Sequence, residues 1–204
     1  MKTLEESIAA AMDAQQDTAI IPFLPYILQD FWGLGTPIEI ALNLIQKNYK
    51  NYSNLKVLDL GCGKWAVSVQ LAVALKCNCY GIDGISEFVE TAKAKAREYE
   101  VDTLCRFEVG DVHPSYMFRK DLLKQFEQAG MELVDETVGQ YGEWADIAKE
   151  MEKIVARCNE LKAKYPEKSS LFENYAQNQA SEYDVLENEM SGSIMVLKIN
   201  KLNE

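Results

Sequence analysis

The sequence predicts an α/β fold: a three-layer sandwich around a mostly parallel sheet reduced to about five strands, the last one antiparallel, with a helical insertion just before it. Three observations carry this expectation. Between residues 56 and 109, short apolar runs alternate with amphipathic stretches in β-α-β-α-β order, which demands parallel strands with helices packed on them. The first of those runs ends in Gly61-Cys62-Gly63, a glycine bend leading into a helix. The last apolar run, Ser193–Ile199, arrives only after two long helical patterns.

The elements follow in order. Residues 3–15 read as a short helix opened by Thr3 and Glu6 in capping-box spacing. Residues 20–35 are aromatic and broken by proline, and are expected either to pack on the sheet or to fold over a ligand with Tyr26, Gln29 and Trp32. Residues 37–49 form a helix with Pro37 in its first turn and Ile38, Ala41, Leu42 and Ile45 on one face. Lys56–Leu60 is a buried strand, 66–75 a helix, and Asn78–Ile82 a second strand. Ser86 is expected to cap a helix over 87–99 that turns Phe88, Val89, Ala92 and Ala96 inward. Cys105–Val109 is a third strand, closed by Gly110 and Asp111.

Beyond Pro114 come a helix over 115–129, a strand over Met131–Val138, helices over 143–165 and 170–189, and the final strand. Ile147, Met151, Ile154, Cys158, Leu161 and Tyr165 make the first long helix strongly amphipathic. The pair reads as a cap on an acceptor pocket, a helical hairpin or a homodimer face. One domain is expected: an N-terminal cap over 1–52, a nucleoside-binding core over 53–114 and a tail over 115–204.

Composition narrows the partners. The 204 residues are 48% hydrophobic and 26% charged, the balance of a folded soluble chain. Net charge is −11, with 10 basic and 15 acidic groups in residues 1–114 and 11 and 17 in the remainder. No segment offers the basic face that phosphate backbones or anionic lipid require, so neither nucleic acid nor membrane is an expected partner. Pro22 and Pro25 break the apolar stretch Ala19–Leu28, and acid precedes the apolar residues of the first ten, unlike an export signal. Five cysteines without a CxxC pair and a single histidine, His113, argue against zinc and for reduced thiols in a cytoplasmic protein. His113 beside Pro114 reads more readily as an exposed loop residue than as a base.

The chemistry gathers at strand ends. Gly61 and Gly63 allow a tight turn and close backbone approach to a ligand. Asp83 closes the second strand, 22 residues after Gly61, where a carboxylate can accept both hydrogen bonds of a ribose diol. Asp111 ends the third strand, within reach of an adenine amino group. Either acid alone is an ordinary turn residue. Together with the bend, on three consecutive strand ends, they mark a nucleoside site at the carboxyl rim of a parallel sheet. Gly61-Cys62-Gly63-Lys64-Trp65-Ala66 also fits a dinucleotide fingerprint, leaving an NAD-dependent oxidoreductase as an alternative. Asp59, two residues before the first glycine, weighs against a pyrophosphate there. An acidic rim suits S-adenosylmethionine, with its sulfonium and ammonium groups.

VLDLGCG, YGIDG and FEVGDV resemble the class I S-adenosylmethionine-dependent methyltransferases over residues 56–112, and LVDETV and SIMVLKI more loosely resemble that family's last two strands. The resemblance implies a Rossmann-like fold, methyl transfer to a small-molecule acceptor, and S-adenosylmethionine as cofactor. It implies that Asp59, Gly61 and Gly63 line the methionine end, that Cys62 lends its backbone amide, that Asp83 with Gly84 holds the ribose, and that Asp111 with Val112 meets the adenine. It names no catalytic residue. Two departures stand out. Trp65 replaces a usual glycine and either crowds the methionine end or turns away from it. The family's central strand–helix–strand unit is missing, because only residues 112–114 separate Asp111 from the next predicted helix and such a unit needs about 30 residues. The shortened chain is expected to derive by deletion from a longer one, with the sheet closing up. A non-catalytic, nucleoside-binding remnant is the alternative function.

Overall fold

The computed structural model describes residues 3–12, 17–31, 33, 37–111 and 118–199, and in them the chain forms two sheets and two hydrophobic cores. Helix α1 (Leu4–Ala11) starts at the capping box: Thr3 Oγ1 accepts the Glu6 amide at 3.2 Å and Glu6 Oε2 accepts the Thr3 amide at 2.8 Å. A 3-10 segment, Thr18–Phe23, leads into α2 (Leu24–Ile27), and α3 spans Ile38–Asn48.

Strands β1 (Lys56–Leu60), β2 (Asn78–Asp83) and β3 (Cys105–Val109) pair in parallel in the order β1-β2-β3. Their connections are α4 (Ala66–Leu75) and α5 (Ser86–Glu98). The inward face of this sheet, with α4 and α5, makes one core around Val69, Leu71, Cys77, Cys79, Val89 and Phe107. Ile38, Leu42 and Ile45 of α3 pack onto it, on the face their spacing predicts. Helix α5 begins at Ser86 itself and is preceded by Ile85, whose amide donates to Asp83 at 2.8 Å; Ser86 is the first helical residue and not the cap its position suggested, and no side chain caps this helix start.

The tail comprises α6 (Arg119–Gln128), β4 (Met131–Gly139), α7 (Tyr141–Trp144), α8 (Ile147–Lys164), a 3-10 turn at Pro166–Lys168, α9 (Ser169–Asn188) and β5 (Gly192–Ile199). The helix expected over 143–165 is therefore two, broken where the Asp146 side chain accepts the Lys149 amide and starts α8 afresh. Helices α8 and α9 form a hairpin, and its apolar stripe is spent within the chain. Ile154, Cys158, Leu161, Phe172 and Tyr175 bury against α2 and the aromatic segment in the second core. The segment over 20–31 packs there, on the hairpin, rather than on the sheet.

One expectation fails. The sheet does not close up: β4 and β5 pair antiparallel with each other as a separate two-stranded sheet, and among the described residues β1 pairs only with β2. Asp135 of β4 accepts from Asn48 Nδ2 and pairs with Lys47 Nζ, both at 2.8 Å, which anchors β4 beside the end of α3 instead of beside β1. Among the described residues the outer edge of β1 is unpaired, and on the face of that strand away from α4 Leu58 and Leu60 are 58% and 59% exposed. Among the described residues there are five strands and the last runs antiparallel to its partner, as expected, but they are divided between two sheets rather than joined in one.

Candidate functional site

The site lies at the carboxyl ends of β1, β2 and β3. Gly61 and Gly63 adopt φ of 73° and 56°, and the amides of Gly61 and Cys62 both donate to the Ile82 carbonyl, at 2.8 and 3.0 Å. That ties the end of β1 to the end of β2. The Asp83 carboxylate completes the link, accepting the Gly63 amide at 2.9 Å with one oxygen and the Ile85 amide with the other. Asp83 is 8% exposed and Asp111 is exposed, at the end of β3.

These strand ends open on a cavity of about 220 Å³ whose described lining includes Gly61, Gly63, Asp83, Gly84 and Asp111. Its roof is α1, which contributes Leu4, Ile8, Ala11 and Met12, while Ile85 and Phe88 close one wall. Ser7 Oγ lies 3.4 Å from an Asp111 oxygen, bringing α1 onto the end of β3. A Cβ on Gly84 would stand 2.7 Å from Ile8 Cγ1, so the glycine is what lets α1 sit this close. Helix α9 steadies the far end of the roof through Gln179 Nε2, which donates to the Met12 carbonyl at 3.2 Å.

The predicted site residues thus divide. Gly61, Gly63, Asp83, Gly84 and Asp111 share one cavity. Asp59 does not line it: it turns under the bend and accepts from Ser68 Oγ at 2.6 Å. The Cys62 amide is committed to Ile82 and its thiol is buried, so neither is free to meet a ligand. Val112 and His113 lie outside the described residues, as does Trp32. Tyr26 hydrogen-bonds Glu160 of α8 at 2.5 Å, and neither it nor Gln29 reaches the cavity. Neither reading of the aromatic segment, lid or packing on the sheet, is met, and the apolar side chains over the cavity come from α1. Its Leu4, Ile8 and Met12 fall four apart on one face, which announces that they pack but not against what.

Trp65 turns away from the cavity. It is 3% exposed, stacks 5.3 Å from the Tyr99 ring and carries Lys95 Nζ 5.5 Å above it. Its backbone keeps φ 119°, a conformation proper to glycine.

Burial raises the Asp83 carboxyl above the usual carboxylate range, against the two amides that favour its charge. Burial likewise raises Asp59, with Asp83 adding repulsion and the Ser68 hydroxyl opposing. The cavity's described lining carries two carboxylates and no basic side chain, and Lys64 next to the bend is directed to the Leu28 carbonyl. The arrangement can accept hydrogen bonds from a diol and an amine and can hold a cation. Among the described residues no cluster could hold a metal ion.

A family profile described as a methyltransferase domain matches residues 51–189. No curated protein matches the chain in sequence. Solved structures similar in fold include YjhP from E. coli, at 12% identity and TM-score 0.65 over 89% of this chain and 100% of that one. A methyltransferase from Geobacter sulfurreducens, solved with S-adenosyl-L-homocysteine, is similar at 14% identity and TM-score 0.64, over 88% and 98%. The [4+2]-cyclase SpnF is similar at 12% identity and TM-score 0.62, over 95% and 94%.

Proposed function

This chain belongs to the methyltransferase-domain family, and from that premise we propose that it binds S-adenosylmethionine at the β1–β2–β3 rim and transfers its methyl group to a small-molecule acceptor. The observation that carries the reading is the convergence of Asp83, Asp111 and the Gly61–Gly63 bend on one cavity without a basic side chain in its described lining. Asp83 keeps lone pairs for the ribose hydroxyls, Asp111 for the adenine amino group, and the glycines leave room for the methionine end. Buried carboxylates nearby favour a sulfonium over a pyrophosphate.

S-adenosylmethionine supplies an already activated methyl group, so the chain's task is to align donor and acceptor and exclude water, worth about 7–11 kcal/mol. The apolar faces of Leu4, Ile8 and Met12 serve that exclusion. A cavity of about 220 Å³ is below the roughly 300–1,000 Å³ that such ligands occupy, so α1 must lift for entry. Enclosure beneath a helix favours a small acceptor over a polymer, and the net charge of −11 repels nucleic acid. Five free thiols support a reducing, cytoplasmic setting. Among the described residues no helix is long and apolar enough to cross a membrane.

Calorimetric titration with S-adenosylmethionine and S-adenosylhomocysteine tests the reading. Binding of both, weakened in Asp83→Ala, is expected; no binding of either at high micromolar concentration sinks it. A second reading, binding without turnover, is favoured by the bare β1 edge, and a metabolite panel that yields binding but no methylated product would select it.

A further inference from the structure

Three thiols meet at the opposite end of the parallel sheet, away from the cavity. Cys79 and Cys105 are direct partners in the β2–β3 register, so their side chains leave the same face of the sheet side by side. Cys77 Sγ lies 3.8 Å from Cys79 Sγ and also contacts the Leu71 carbonyl, at 3.7 Å. Paired parallel strands run about 4.8 Å apart, inside the Cα separation of about 4.4–6.8 Å that a disulfide spans. Cys77 lies just before β2 and Cys79 within it, two residues apart on one chain segment rather than side by side on paired strands. Access separates the three as well: Cys77 and Cys79 are 0% and 3% exposed, whereas Cys105 is only half-buried.

We propose that Cys79 and Cys105 are an oxidative modification site, a dithiol that a small hydroperoxide converts reversibly into a disulfide stapling β2 to β3. Cys105 is the thiol that meets the oxidant. It is the accessible one of the three, and the neighbouring Cys79 thiol holds it below the ordinary thiol range against the effect of burial. With hydrogen peroxide, the Cys105 sulfur attacks one oxygen, the O–O bond breaks, and a sulfenic acid and hydroxide result. The Cys79 sulfur then attacks the Cys105 sulfur. The S–O bond breaks, and the Cys79 proton leaves with the departing hydroxide as water. Two thiols and one peroxide give one disulfide and two waters.

The test is peptide mapping of the native full chain after titration with hydrogen peroxide, with remaining thiols alkylated on denaturation. Expected are a mass loss of about 2 Da, reversed by dithiothreitol, and a cross-linked pair containing Cys79 and Cys105. Cys77→Ser should keep the link and Cys105→Ala should abolish it. The proposal is overturned by over-oxidation of Cys105 without a link, by a link through Cys77, or by no change while glutathione in the same tube is consumed. The wild-type map decides alone, even if a variant fails to fold.

Discussion

Asp83 and Gly63 are joined across the turn of the candidate site by a 2.9 Å hydrogen bond from amide to carboxylate. The residue proposed to hold the ribose therefore also holds the bend proposed to receive the methionine end. Asp83→Ala removes two charge-assisted bonds and any ligand contact together. A hydrogen bond to a charged group is worth about 1.5–3 kcal/mol, so S-adenosylhomocysteine affinity should fall roughly 10- to 150-fold, with a clear fall in Tm. Asp111→Ala, at an exposed position, should weaken binding while leaving Tm within about 1–2 °C. Titration calorimetry and thermal melts on both variants separate the roles. Equal loss of Tm in the two would contradict the division.

Trp65 tests which of two costs is larger. A bulky residue at φ 119° stores about 1–3 kcal/mol of backbone strain, which Trp65→Gly would release. The same change empties a buried indole site against Tyr99 and Lys95, at about 3–5 kcal/mol. Packing wins, so Trp65→Gly should destabilise by about 1–3 kcal/mol in urea melts. A more stable variant would mean that strain dominates.

What the sequence disclosed follows from how local each signal is. The strands and helices of residues 56–109 come out where the apolar runs and glycines place them, because each is set by side chains a few residues apart. The shared placement of Asp83 and Asp111 on one cavity is legible because a parallel sheet brings successive strand ends to one side. Pairing partners of β4 and β5 were not legible. The Asp135 anchor to Lys47 and Asn48 joins residues far apart in the chain, and no period encodes it. The bond from the Cys62 amide to Ile82 is not legible, because a backbone hydrogen bond leaves no mark on side-chain pattern. The roof α1 was missed as a site element because an amphipathic face does not name its partner.

Gly84 offers a lever on that roof. A side chain there meets Ile8 Cγ1 at 2.7 Å, so Gly84→Val should pry α1 off the strand ends while the core beneath α4 and α5 stays intact. Limited proteolysis within the first twelve residues should speed up by about tenfold, consistent with about 1.4 kcal/mol of lost docking, with the Tm of the main transition nearly unchanged. Unchanged proteolysis would show that Ile8 yields without moving the helix.

The bare edge of β1 is a liability. Leu58, 58% exposed on an edge strand, should drive self-association as concentration rises. Leu58→Lys places a charge on that edge at an exposed position, so stability should change by no more than about 0.5 kcal/mol. Sedimentation velocity across a concentration series should show the variant shifted toward monomer. Identical profiles for the two chains would remove the edge as the cause.

Asp59 sets a pH dependence whose sign can be fixed. Burial raises its carboxyl above the unfolded value, so the folded state holds the proton more tightly than the unfolded one. Its contribution to stability is complete below the ordinary carboxylate value of about 4 and is lost as pH climbs through the raised folded value. By neutral pH the unfolded carboxyl is ionised while the folded site, buried and beside Asp83, resists the charge, so that contribution has fallen. Asp59→Asn keeps an oxygen to accept from Ser68 Oγ and removes the charge. The variant should therefore melt higher than the wild type at pH 7, by about 2–4 °C, and the gap should close as pH falls toward 4. A gap that is constant with pH, or that widens in acid, would mean that the Ser68 hydroxyl outweighs burial.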